Sequence, residues 1–180
     1  TSVHRILNED KRITIPSPWQ PLNELMDGGF GKKELYIIIA APGTGKSFAL
    51  INIGNAALMA GKTVFHYTLE LSESVNVKRY YSIMTGTPVR KLTNNINEII
   101  NKIEEYKNNN GTLIIKEYPT KRATVDTLAA HIDMSINNGL KPDMIIVDYG
   151  DLLRASKSFG EKRLDVGSIY EELRGLAAEY

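Results

Sequence analysis

Residues 40–47 read Ala-Ala-Pro-Gly-Thr-Gly-Lys-Ser, and that order of types suits the capture of phosphate. Gly43 and Gly45 let the backbone curl until successive N–H groups point inward at anionic oxygens. Lys46 carries an ammonium that reaches β- and γ-phosphates, and the Ser47 hydroxyl is a ligand for Mg²⁺. The nucleotide-binding residues are therefore read as Ala41, Pro42, Gly43, Thr44, Gly45, Lys46, Ser47 and Phe48. The usual pattern opens on glycine, whereas Ala40 stands here. The competing reading is a glycine turn that merely links a strand to a helix, and Gly-Lys-Ser in this setting argues against it.

Two carboxylates stand at or just beyond the ends of apolar strands. Met144–Val147 is wholly apolar and releases Asp148, which can serve through water as an outer-shell ligand for the Mg²⁺ held by Ser47. Val64–Thr68 leads to Glu70. From its residues alone, Glu70 is equally a base for the water attacking a γ-phosphate or a charge favouring the next helix start. Glu73 is read as first-turn helix charge. After the Asp148 strand come Arg154, Lys157, Lys162 and Arg163, interleaved with Ser156, Ser158 and Gly160. Such cations can contact the phosphates of a nucleic-acid strand threaded past the site. Glu161 and Asp165 keep an ordinary solvated loop open as the alternative. His4, His66 and His131 have no metal-ligand spacing, and His66 reads as structural.

The elements that must position these groups alternate. Strand one is expected at Leu35–Ala40, then a helix with an apolar stripe at Leu50, Ile53, Gly54, Ala57 and Leu58, ended by Gly61. A strand at Thr63–Thr68 and a helix at Ser74–Met84 follow, then a turn at Gly86-Thr87-Pro88. Ile96, Ile99, Ile100 and Ile103 mark another helix, stopped by a loop at Asn108–Gly111. Thr112–Tyr118 reads as a strand, Thr124–Asn137 as a helix capped by Thr124, and Met144–Val147 as a buried central strand. A last helix starts near Leu164. The fold class is thus α/β, a mostly parallel sheet with helices on both faces. Ligands on such sheets sit at the carboxyl ends of the strands, where 41–47 lies. Residues 1–34, with Pro16, Pro18, Pro21, Gly28, Gly29 and Gly31, form a lead-in or linker segment of turns, with a short helical piece around Leu22–Met26.

The chain of 180 residues is 42% hydrophobic, enough for one domain with a core. A net charge of +1 supplies no global field, so any polyanion site must be local. The absence of cysteine removes disulfides, zinc-thiolate sites and thiol chemistry, and fits a reducing interior. No apolar run approaches membrane-spanning length, and the N-terminal stretch is polar rather than signal-like. These features fit a cytoplasmic setting without a membrane partner.

Several stretches resemble the ATPase core of the DnaB-type replicative helicases, a branch of the RecA-like P-loop ATPases. Ile15–Leu25 with Gly28-Gly29-Phe30 is similar to that family's opening segment, and Leu35–Ser47 to its phosphate loop, where alanine commonly replaces the leading glycine. Thr68-Leu69-Glu70-Leu71-Ser72 resembles its Ser-Leu-Glu-Met-Ser motif, which implies that Glu70 is the catalytic base. Ile145–Leu153 resembles its second nucleotide motif, and Glu161–Ala178 the helix after its first DNA-binding loop. Gly150 and Asp151 depart from the Leu and Gln usual in bacterial members, which suits a divergent or phage-type member.

The resemblance implies ATP and Mg²⁺ as cofactors, with Lys46 and Glu70 as the catalytic groups. It implies single-stranded DNA as partner, a homo-oligomeric and usually hexameric ring, and association with a primase or loader. The family continues with a polar sensor strand, further DNA loops and an arginine finger. Residues 35–180 therefore read as the N-terminal part of its ATPase domain, and the chain by itself is expected to bind nucleotide and hydrolyse it weakly. Alternatives are a RecA/RadA- or KaiC-like ATPase, or a nucleotide-gated DNA-binding or loading module without unwinding activity.

Overall fold

The computed structural model describes residues 12–94 and 96–180. His4 and the polar N-terminal stretch lie outside them. In chain order the elements are β1 (Thr14–Ile15), α1 (Gln20–Leu25), β2 (Phe30–Gly31), α2 (Lys46–Met59), β3 (Val64–Thr68), α3 (Glu73–Thr85), α4 (Ile96–Asn109), β4 (Leu113–Glu117), α5 (Val125–Asn137), β5 (Met144–Asp148) and α6 (Lys162–Glu179). Single 3₁₀ turns occupy Val89–Lys91 and Gly150–Leu152.

β3 runs parallel to β4 on one side and to β5 on the other, so the sheet order is β4-β3-β5. All five β3 residues are buried, because each of its faces meets a helical layer. Phe65 and Tyr67 pack with Leu128 and Ile132 of α5 and with Ile169, Leu173 and Leu176 of α6. Val64 packs on the opposite face with Ile51, Ala57 and Leu58 of α2 and Tyr80 of α3. The α/β expectation holds, with helices on both faces of a parallel sheet. α4 covers a smaller cluster of Leu92, Ile99 and Ile103. Its helix runs on through Asn108 and Asn109, later than the Asn run alone suggests.

Local chemistry explains the boundaries. Thr124 caps α5: its hydroxyl accepts from Thr127 N while the Thr127 hydroxyl accepts from Thr124 N, a capping box. Gly86 ends α3 in the left-handed conformation that glycine adopts without a Cβ penalty. β1 and β2 pair antiparallel, and Ile15 of β1 is buried against the α2 layer.

Two strand expectations are corrected. Leu35–Ala40 is not a sheet strand: it makes no ladder, and Ile37 and Ile39 are 52% and 90% exposed. Both of its ends are held elsewhere. The Tyr36 hydroxyl joins Gly31 N, Arg12 and Glu34 beside β2, while the Lys46 ammonium bonds the carbonyls of Ala40 and Ala41. β5, in turn, is an edge rather than the central strand. Its free side faces a cavity of about 600 Å³ whose far wall includes residues 35–38. An apolar run reports burial of two faces; it does not report which of its two edges is paired.

The fully buried His66 donates or accepts at Nδ1 with the Tyr80 hydroxyl, 2.9 Å away, while its Nε2 has no partner. The structural role expected for this residue is what its position allows. Burial lowers its pKa from 6.5 to about 4. A depressed folded-state value means stability that is complete above pH 6.5 and lost as pH falls toward 4. Between pH 7.5 and 5 this group should cost about 2 kcal/mol of unfolding free energy. Urea unfolding of wild type and His66→Gln at both pH values checks this; the variant should lose that part of the pH slope. Equal slopes in the two proteins would refute the assignment.

Candidate functional site

Gly43 and Gly45 have φ of 76° and 99°, and open space lies where a Cβ would project. Left-handed φ at alternate positions turns the intervening N–H groups to one concave side. Gly45 is also the N-cap of α2, so the free N–H groups of the first helical turn open onto the same hollow. Thr44 closes the turn by bonding its hydroxyl to Ala41 O at 2.6 Å. Lys46 lies at the helix start with Nζ 3.1 Å from Ala40 O and 3.4 Å from Ala41 O. Ser47 follows in the first turn. Phe48 is 53% exposed, and the Arg79 guanidinium of α3 stands 4.5 Å over its ring. Nothing in the sequence distinguishes Arg79 from any other helical arginine.

Lys46 and Asp148 both line one cavity, whereas residues 41–45, Ser47 and Phe48 do not. Asp148 is 1% exposed, yet its Oδ2 has no hydrogen-bond partner. A buried carboxylate oxygen without a donor is costly unless water or a cation completes it. The donor set therefore fits a water-mediated divalent cation. Among the described residues no group of three or more acidic, histidine or cysteine side chains forms a cage. Such an ion would draw most ligands from phosphate and water.

Glu70 is exposed, on a loop whose backbone is pinned on both sides. Leu69 N donates to Asp148 O at 2.9 Å, which ties the loop to the β5 tip. The Thr68 hydroxyl donates to Leu71 O at 2.6 Å and accepts from the buried Asn76 amide at 2.9 Å. Glu70, Asp151 and Asp148 act together on the Tyr149 hydroxyl, whose pKa is pushed up by burial first and then by those negative charges. Glu73 occupies the first turn of α3, as expected, and its N–H donates to Glu117 Oε2 at 2.8 Å.

The departure at Gly150-Asp151 has a packing reason. A Cβ at Gly150 would lie 3.2 Å from the Tyr170 ring and 3.3 Å from Leu173. The Tyr170 hydroxyl donates to Asp151 Oδ1 at 2.7 Å, fastening the post-β5 turn to α6.

Arg154, Lys157, Lys162 and Arg163 are all exposed. Lys162 and Arg163 open α6, where the positive end of the helix dipole disfavours cations and leaves them better matched to an external anion. The loop between them is tied to α6 through carboxylates: Ser156 donates to Glu172 at 2.9 Å, and Phe159 N to Asp165 at 2.6 Å.

A parallel sheet sandwiched by helices, with Lys46 after a glycine-bent loop and Asp148 at a strand tip lining one cavity, defines a RecA-like α/β domain. Residues 14–180 match the DnaB-like helicase C terminal domain family. The chain belongs to that family. The DnaB-like replicative helicase of Enterobacteria phage T4 is 27% identical over 179 residues, covering 94% of this chain and 38% of that protein. The replicative DNA helicase DnaB of Geobacillus stearothermophilus is 28% identical over 194 residues, covering 99% of this chain and 40% of that protein. The chain thus spans about two fifths of the curated relatives it matches. Two solved structures share the fold at TM-score 0.77 and 20% identity, each covering 99% of this chain. One is a DnaB-like replicative helicase described with its interactions with primase, of which 45% is covered. The other is a solved ATPase domain, of which 64% is covered.

Proposed function

We propose that this chain is the ATP-binding motor core of a replicative-type DNA helicase, which couples Mg-ATP hydrolysis to movement on single-stranded DNA. The observation that carries the reading is that Lys46 and Asp148 line one cavity, with one buried Asp148 oxygen left without a partner and the loop before Lys46 bent by two left-handed glycines. Residues 41–48 would hold the triphosphate, with Ser47 and, through water, Asp148 completing the Mg²⁺ shell. The ion would neutralise charge on the phosphates. Lys46 would do the same from the loop. Glu70 would orient and deprotonate the attacking water, and its pinned backbone serves the positioning that phosphoryl transfer requires.

Arg154, Lys157, Lys162 and Arg163 would face the DNA backbone. Residues 1–34 act as a lead-in segment, and 35–180 as the first part of a RecA-like domain. The full protein would form a homo-oligomeric, hexameric ring in the cytoplasm of a bacterium or phage-infected cell, with a primase or loader as partner. Unwinding of a forked duplex by the full-length protein tests the reading. ATP turnover without unwinding would favour a RecA/RadA- or KaiC-like ATPase; DNA binding gated by nucleotide without turnover would favour a loading module.

A further inference from the structure

The strap 119–123, which joins β4 to α5, crosses between the Glu70 loop and the turn after Asp148, and it touches both. At one end the Thr120 hydroxyl donates to Leu69 O at 2.9 Å, one residue before Glu70. At the other, Lys121 takes three consecutive carbonyls of the post-β5 turn. Its backbone N–H donates to Leu152 O at 2.7 Å, and its ammonium donates to Asp151 O at 2.6 Å and Leu153 O at 2.7 Å. Ala123 O then accepts from Arg154 N at 2.8 Å, at the start of the cationic loop.

Two features mark this strap as more than a connection. Lys121 has φ of 60°, a left-handed conformation that a residue with a side chain rarely adopts. Its ammonium is directed at main-chain oxygens although the residue is exposed, where water competes for it. Such a residue is held by its surroundings, so displacement of the turn it grips is passed to its neighbour Thr120 and from there to Leu69. The path is short and made of hydrogen bonds with defined partners, a contiguous network of the kind that can carry coupling between two sites.

We propose that Thr120 and Lys121 are positioning residues that couple the post-Asp148 turn to the Glu70 loop, so that a polyanion held at residues 154–163 alters turnover through this strap. The proposal rests on the helicase reading above. Neither side chain is assigned contact with nucleotide or metal; both act through the backbone that carries Glu70.

The test uses the full-length protein, with Mg-ATP hydrolysis measured with and without an oligo(dT) strand. Lys121→Met removes the ammonium, Lys121→Gly removes it while accepting the left-handed backbone, and Lys121→Arg restores a donor. Thr120→Val and Thr120→Ser form the matching pair on the other side. The expected result is that Lys121→Met and Lys121→Gly lose about fivefold or more of the DNA stimulation of kcat, with basal kcat and the KM for ATP unchanged. Lys121→Arg should recover it, and Thr120→Val should lower stimulated kcat where Thr120→Ser does not. A merely structural role would instead move basal turnover and stability together. Full stimulation in Lys121→Gly would overturn the coupling while leaving the helicase reading intact. A wild type that turns over ATP without any response to DNA also overturns it. A wild type with no turnover under either condition overturns the helicase reading, and the coupling with it.

Discussion

Lys46→Ala is expected to weaken Mg-nucleotide binding by roughly two to four orders of magnitude. The ammonium would make charge-assisted hydrogen bonds to two phosphate groups, each contributing about 1.5–3 kcal/mol. The sum, about 3–6 kcal/mol, corresponds to roughly 10²- to 10⁴-fold in affinity. The fold should tolerate the change, because the ammonium bonds the carbonyls of Ala40 and Ala41 on an exposed segment rather than any part of the core. Titration of a fluorescent nucleotide in the presence of Mg²⁺, alongside a thermal unfolding curve, separates the two effects. Binding within about tenfold of wild type would remove the phosphate-loop assignment.

Glu70→Gln should do something different: leave nucleotide affinity close to wild type and lower turnover by about 10²- to 10⁴-fold. Glutamine has nearly the same shape and keeps an acceptor oxygen, but it cannot take a proton from water. The surrounding loop should hold its geometry, since its anchors are Leu69 N on Asp148 O and Thr68 on Leu71 O, none of which uses the Glu70 carboxylate. Single-turnover hydrolysis by the full-length protein, with binding measured in parallel, reads this directly. Normal turnover in the variant would transfer the base role elsewhere, and Glu73 is the nearest competitor in sequence.

The parts of the site that are legible in the sequence are those whose chemistry is local. The demand for positive φ at Gly43 and Gly45 follows from the glycines themselves, and the helix that begins at Lys46 follows from the spacing of Ile53, Ala57 and Leu58. Asp148 is readable because an apolar run ends on it. β3 is readable as a strand, but its place at the sheet centre is not, since His66 and Thr68 lower its apolar content while being buried. Leu35–Ala40 shows the converse: composition suited to a strand, with no ladder formed.

Contacts between distant residues leave even less trace. The Tyr170–Asp151 bond joins positions 19 residues apart, and Lys121 recognises carbonyls, which every residue possesses. No side-chain pattern can announce a partner of that kind. Phe48, by contrast, is legible only as the residue after the loop; its contact with Arg79 depends on how α3 crosses α2.

The open side of β5 has a consequence for the behaviour of the protein in solution. Bare strand edges recruit other chains, and folded proteins guard them with prolines and charges. Here Pro142 and Asp143 stand before the Met144–Asp148 run, and its last residue is itself a carboxylate. Asp143, exposed at the start of the strand, therefore serves as a gatekeeper against edge-to-edge association; Asp148, 1% exposed, is too buried for that role. Removing Asp143 strips a guard from the seam, so the aggregation state of an Asp143 variant has to be known before any lost turnover in it is attributed to chemistry.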